Sequence, residues 1–284
     1  MLKQRIITAL VLLAILLPAL FAESPQAFLG LSIYMIGAGA WEWGKMNGLS
    51  QRQSIVSAIF CALCCGLAWW VDWTTHTAPW LWWLAGSSWV GLTAWMLMRG
   101  VSGWAQWHRP TRWAVGLVML WLAWLAMAQA RTGGVQLLLS IFCAVWAADV
   151  FAYFFGRTLG GKIFSRKLAP TVSPGKSWEG ALGGLLGVFV VAMVWMHLEQ
   201  TYSWPGASLF TRMRVHGTFL WSLSLAFLTA MSVVGDLVES LVKRSAGVKD
   251  SSHLLPGHGG VLDRLDALLP SLPIALMLLQ WPVV

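Results

Sequence analysis

Residues 218–241 read TFLWSLSLAFLTAMSVVGDLVESL. A helix needs about 20 mostly apolar residues to cross a bilayer, and this run supplies them. It does not stay apolar. Asp236 closes the stretch Leu225–Val234, and Glu239 follows three residues later on much the same helical face. Ionising a carboxylate at that depth is expensive, so an acid there reads by default as a site residue. The stretch predicts a membrane helix with chemistry at one end.

The rest of the chain agrees. Of 284 residues, 58% are hydrophobic and 11% charged, against about 45–50% and 25% in soluble domains. A water-soluble globule is excluded, and so is a disordered chain. Runs of spanning length fall at about 6–22, 27–44, 54–71, 78–98, 113–130, 135–156, 180–198, 218–241 and 266–283. The expected fold is all-α, a polytopic bundle of about nine transmembrane helices. About five spans fall in an N-terminal region, 1–140. A C-terminal catalytic region, 141–284, carries loops 157–179 and 242–265. The first run has signal-peptide features (Lys3, Arg5, then Ala19 and Ala22), but with eight spans following it reads as an uncleaved helix. Cys61, Cys64, Cys65 and Cys143 all lie in apolar runs and read as packing residues.

A net charge of +8 would suggest nucleic acid in a soluble chain. Here it sets topology. With the N-terminus inside, sixteen of the nineteen Lys and Arg fall on the cytoplasmic side; only Arg131, Arg212 and Arg214 fall outside. The eleven acids are distributed otherwise. Glu23, Asp72 and Glu199 read as solvated charges of outer loops, and Glu42 as a helix-end charge reaching the interface. Asp149, Glu179, Asp236, Glu239, Asp250, Asp263 and Asp266 flank or enter the two richest basic loops.

Asp263 and Asp266 repeat the spacing of Asp236 and Glu239 at the start of span nine. If these helix ends meet, several carboxylates face one hard cation, and Mg²⁺ prefers oxygen ligands at a substrate phosphate. Lys243, Arg244, Lys249 and Arg264 are interleaved with them, a mixture suited to metal-bound polyphosphate. Gly257, Gly259 and Gly260 permit close backbone approach, and His258 between them is a candidate phosphate or metal-shell contact. The other basic loop contains Gly175-Lys176-Ser177. It is not a P-loop, because position 170 is Pro where that pattern needs Gly. It reads as a flexible cationic loop of Arg157, Lys162, Arg166, Lys167 and Lys176, with Asp149 and Tyr153 on one face of the preceding helix.

Ser240-x-x-Lys243-Arg244, then Lys249-Asp250, Pro256-x-His258-Gly259-Gly260 and Asp263-Arg264-x-Asp266 together resemble the phosphatidate cytidylyltransferase signature. That family is also called CDP-diacylglycerol synthase. Ser173-Pro174-Gly175-Lys176-Ser177-Trp178-Glu179-Gly180 resembles a second family landmark, with Ser177 where Thr is more usual. The resemblance covers about Asp149 to Asp266. It implies conversion of CTP and phosphatidic acid to CDP-diacylglycerol and pyrophosphate in phospholipid synthesis. It also implies a Mg²⁺-dependent homodimer of the bacterial inner membrane, with its site on the cytoplasmic face. Its metal-binding carboxylates match Asp236, Asp263 and Asp266. Three carboxylates exceed what one largely hydrated Mg²⁺ takes, which leaves room for a second cation. Lys243 and Arg244 are then catalytic clamps. Lys176, Ser173, Lys249, Asp250, His258, Gly259, Gly260, Arg264, Asp149, Tyr153 and Arg157 are candidate substrate contacts.

Two rivals are set against this reading. A CTP-dependent polyprenol or phytol kinase would release CDP rather than pyrophosphate, and the long signature argues against it. A transporter also uses intramembrane acids, but its site usually lies at the midplane between related halves. Here the acids gather at one face of the C-terminal half, without an evident internal repeat.

Overall fold

Hydrocarbon offers no water to bare N–H and C=O groups, so a spanning segment satisfies its backbone internally. The apolar runs accordingly form helices. The computed structural model describes residues 2–76 and 78–281; the last two positions of the expected ninth span, 282 and 283, lie outside them. Helices α1 (Leu2–Phe21), α2 (Gln26–Met46), α3 (Gln51–Trp70), α4 (Pro79–Gln106), α5 (Arg109–Thr132) and α6 (Val135–Leu159) make the first part. Strands β1 (Lys167–Ala169) and β2 (Ser173–Ser177) follow, then α7 (Trp178–Thr201), the short α8 (Leu209–Arg214), α9 (Thr218–Ser245), α10 (Leu262–Leu265) and α11 (Leu268–Leu278). Among the described residues, α1, α3, α5, α6, α7 and α9 are long and apolar enough to cross a membrane. The protein is a polytopic helical membrane protein.

The structure departs from the all-α expectation in the loop between α6 and α7. Strands β1 and β2 form an antiparallel hairpin, with Lys167 opposite Ser177 and Ala169 opposite Ser173. Its turn has Pro170 at the second position, which suits the fixed proline φ, and the Val172 N–H donates to the Ala169 carbonyl at 3.3 Å. The loop expected to be flexible is also pinned from behind. Glu179 is buried, and its Oε1 accepts the backbone N–H groups of Gly161, Ile163 and Phe164 at 2.9–3.1 Å.

The ninth span also differs. It was expected as one helix over 266–283, but α10 ends at Asp266 and α11 is 11 residues long. At 1.5 Å per residue α11 covers about 16 Å, roughly half the apolar thickness of a bilayer. The reason lies in where the acids sit. Asp236 is about 14 Å back from the C-terminal end of α9, so the segment that meets it starts well inside the bundle. Beyond α11, Gln280 and Trp281 line a cavity with Thr74, Thr132 and Arg212 at the end where α9 begins. The whole of α11 is close to buried.

Small residues bring α6 against α7. A Cβ added to Gly184 would stand 2.7 Å from the Ala148 carbonyl oxygen, and one added to Gly183 2.3 Å from the Phe155 ring. Membrane helices pack closely where side chains are absent in this way. The contact fixes Asp149 on α6 relative to Lys176, just before α7. Ser177 caps α7 by accepting the Gly180 N–H at 3.1 Å. All four cysteines are free thiols, and Cys61 and Cys65 are buried in the core.

Candidate active site

Two helix segments make the acidic centre. Asp236 and Glu239 stand one turn apart on α9, and Asp266 is the residue that ends α10. The two segments meet because residue 235 is Gly: a Cβ there would stand 2.6 Å from the Asp266 carbonyl oxygen and 2.7 Å from the Pro270 ring. One oxygen from each of Asp236, Glu239 and Asp266 lies within 4.8 Å of the others. Asp266 Oδ1 accepts the Ala267 N–H at 2.7 Å, and Asp236 Oδ1 accepts the Ser240 hydroxyl at 3.3 Å. Glu239 is buried, and its Oε1 has no hydrogen-bond partner among the described residues.

Two lysines offset part of this charge. Lys243, one turn beyond Glu239, lies 2.5 Å from Glu239 Oε2 and 2.6 Å from Asp263 Oδ1. Lys176 lies 2.7 Å from Asp236 Oδ2 and donates to the Val233 carbonyl at 3.3 Å. Asp263 is thus brought into the cluster, but both its oxygens are engaged. Oδ2 accepts the N–H of Ser251 at 2.9 Å, the Ser251 hydroxyl at 3.0 Å and the N–H of Gly260 at 2.8 Å. Burial opposes its ionisation, but the Lys243 ammonium and the two backbone N–H groups outweigh burial and hold the carboxyl at about 2.

A cleft of about 290 Å³ opens beside Asp236 and is lined by Asp149, Tyr153, Gly175, Lys176 and Ser177 among others. Its walls come from α6, β2, α7 and α9. It therefore unites the two stretches of sequence that carried the reading. Tyr153 accepts a hydrogen bond from Arg157 at 2.9 Å, and both are exposed at the rim. Ser173 sits half-buried at the start of β2.

The remaining candidates lie between the last turn of α9 and α10. Arg244 is exposed in the last turn of α9, and Lys249 and Asp250 are exposed on the segment after it. Arg264 turns back to the loop and donates to the His258 carbonyl through Nε and Nη2, at 3.2 and 2.8 Å. Gly259 has φ +84°, the left-handed region, and a Cβ there would stand 2.7 Å from Asp263 Oδ2. Gly260 is tighter still against Ser251 and Glu42.

Two acids read as solvated or interfacial are neither. Glu199 is buried in α7, where it accepts the Ser208 N–H and the hydroxyls of Ser208 and Thr211. Glu42 has no exposure at all and accepts four hydrogen bonds from residues 251–262. Neither partner set follows from helical spacing: that of Glu199 lies past the end of its helix, at Ser208 and Thr211, and that of Glu42 lies more than two hundred residues on. Glu239 carries a sequence signal, its i, i+3 relation to Asp236, although the family resemblance points to Asp263 and not to it as the third carboxylate.

The profile of the cytidylyltransferase family matches residues 3–281. The phosphatidate cytidylyltransferase of Pseudomonas aeruginosa is 37% identical over 285 residues, covering 98% of this chain and 97% of its own. That of Haemophilus influenzae is 36% identical over 298 residues, covering 96% of each. Phosphatidate cytidylyltransferase 5, chloroplastic, of Arabidopsis thaliana is 41% identical over 137 residues, covering 48% of this chain and 30% of its own.

Proposed function

The chain belongs to the cytidylyltransferase family, and from that premise we propose that it converts CTP and phosphatidic acid to CDP-diacylglycerol and pyrophosphate. Relatives bearing the phosphatidate cytidylyltransferase name match it over nearly its whole length. The observation that carries the chemistry is the meeting of Asp236, Glu239 and Asp266 beside Lys176 and Lys243. Among the described residues, five carboxylates, counting Asp149 and Asp263, gather here, and the ion pairs they make are with those two lysines. Such a cleft repels two phosphate-bearing substrates unless cations enter with them.

The donor set fits a hard cation. Every available atom is a carboxylate oxygen, and the buried Glu239 Oε1 lacks a partner among the described residues. We assign Asp236 and Asp266 to Mg²⁺, with Glu239 as a third donor. Lys243 turning onto a substrate phosphate frees Asp263 Oδ1 for the same cation or a second one. Bound there, Mg²⁺ supplies neutralisation of charge on the triphosphate and on the leaving pyrophosphate.

The lipid phosphate monoester is already nucleophilic at neutral pH, so it needs no covalent enzyme intermediate. It attacks the α-phosphorus of CTP in line, a new P–O bond forms, and pyrophosphate leaves. The protein's part is positioning and charge. Lys176 and Lys243 clamp phosphate oxygens next to the carboxylates. Arg244, Lys249, Arg157 and Arg264 gather the anionic groups at the rim, with Ser173, Tyr153, Asp250 and His258 around them. The basic residues support an N-terminus inside, a cytoplasmic site and about nine transits. The family resemblance supports a homodimer in the bacterial inner membrane.

The test is product analysis of the detergent-purified protein with phosphatidic acid, labelled CTP and Mg²⁺. CDP-diacylglycerol with equimolar pyrophosphate, abolished by chelation, is expected. CDP release with a phosphorylated lipid selects the kinase instead. No nucleotide-dependent product from folded protein refutes both and makes transport the next assay.

A further inference from the structure

Glu42 stands on α2, a helix that contributes none of the residues assigned to substrate or cation. Its side chain is fully buried. Among the described residues no lysine or arginine pairs with it. A buried carboxylate persists only where donors replace the water it lost, and here there are four. Oε1 accepts the Val261 N–H at 2.9 Å and the Ser252 hydroxyl at 2.5 Å. Oε2 accepts the Leu262 N–H at 2.8 Å and the Ser251 hydroxyl at 3.0 Å.

These donors come from both ends of one loop, 251–262, and Glu42 ties them together. The same loop holds Asp263. The Ser251 hydroxyl lies 3.0 Å from both Glu42 Oε2 and Asp263 Oδ2, so one proton is shared between two carboxylates. Asp263 in turn meets Lys243, and Lys243 meets Glu239. The packing is close enough to exclude any side chain at residue 260, where a Cβ would lie 2.0 Å from Ser251 Oγ and 2.4 Å from Glu42 Oε1.

We infer that Glu42 is a positioning residue for the cytidylyl transfer: it fixes the 251–262 loop and so sets Asp263 and Lys243 beside the acidic centre. This rests on the function proposed above. The requirement is for a carboxylate specifically. Serine hydroxyls can rotate, but the N–H groups of Val261 and Leu262 only donate. A Gln amide of the same shape must turn its own NH₂ toward one of them.

The test compares Glu42→Gln, Glu42→Asp and Ser252→Ala in the purified full-length protein. Turnover per folded molecule, thermal unfolding and backbone hydrogen exchange are measured for each. For Glu42→Gln we expect kcat to fall about 10²-fold, the scale of a misplacement near 1 Å. The unfolding midpoint should stay close to that of the parent, and faster exchange should be confined to 250–262. Glu42→Asp, which keeps acceptors on both oxygens, should recover part of kcat. Unchanged turnover in Glu42→Gln overturns the inference. So does a loss that merely tracks unfolded protein, with exchange rising through α2 and α9 alike. Should Glu42→Gln not fold, Ser252→Ala decides, since it removes one bond of the four and does not touch Asp263. About a fivefold lower kcat is expected from one bond worth about 1 kcal/mol, and parental kcat overturns the inference. Exchange needs no substrate, so a parent protein without cytidylyltransferase activity is recognised separately as failure of the underlying function.

Discussion

Replacing Gly235 by Ala separates stability from catalysis. The added methyl would stand 2.6 Å from the Asp266 carbonyl oxygen and 2.7 and 2.9 Å from Cγ and Cδ of Pro270. Ordinary contact begins at 3.4 Å, and neither a carbonyl nor a proline ring can rotate aside, so α9 and the α10–α11 segment must part by about 0.8 Å. Such overpacking costs about 1–3 kcal/mol. Alanine returns about 1 kcal/mol through its higher helix propensity. The net loss of stability is therefore small, about 0–2 kcal/mol. The wedge acts next to Asp236, however, and it pushes on Asp266 itself. A shift of that size in a reacting constellation lowers kcat by about 10²-fold. Turnover at saturating CTP and the unfolding midpoint would be measured on the same purified sample. Gly66→Ala on α3 is the control, since a Cβ there meets nothing within 4 Å. Parental kcat in Gly235→Ala would refute the claim that the close crossing of α9 sets the carboxylate geometry.

Other substitutions probe neighbouring groups. Asp263→Asn should abolish turnover while membrane insertion stays intact; near-normal rates from a well-folded variant would remove it from the site. Lys243→Met leaves Glu239 and Asp263 facing each other almost buried, with side chains 6% exposed each, and should destabilise the protein by about 3–5 kcal/mol; an unchanged unfolding midpoint would contradict this. Lys176→Ala should raise KM more than it lowers kcat, and unchanged kinetics for both substrates would reduce it to a topological charge.

Much of this was legible in the sequence, for definite reasons. Helices follow from apolar length, because hydrocarbon permits little else. Asp236 and Asp266 stood out because acids are scarce and costly in such a chain. What escaped depends on contacts between distant segments. The partners of Glu42 lie more than two hundred residues away, and nothing in α2 foretells them. The hairpin of β1 and β2, three and five residues long, is too short to show a period of two. The shortness of α11 is not visible in the apolar run 266–283, since hydropathy does not record where a recessed partner makes a helix begin.

The bond between Glu42 and Val261 closes 219 residues of chain. During synthesis α2 emerges first, and at about 5–20 residues per second its carboxylate waits roughly 10–40 seconds for its donors. In that interval it must be hydrated or borrow other partners, which keeps the C-terminal end of α2 near water. Only when residues 251–262 have been made can they supply the donors, and only then does the site close. A chain broken off before residue 262 can insert most of its helices but cannot assemble the loop, so competence waits on a segment made long after the helix that holds it.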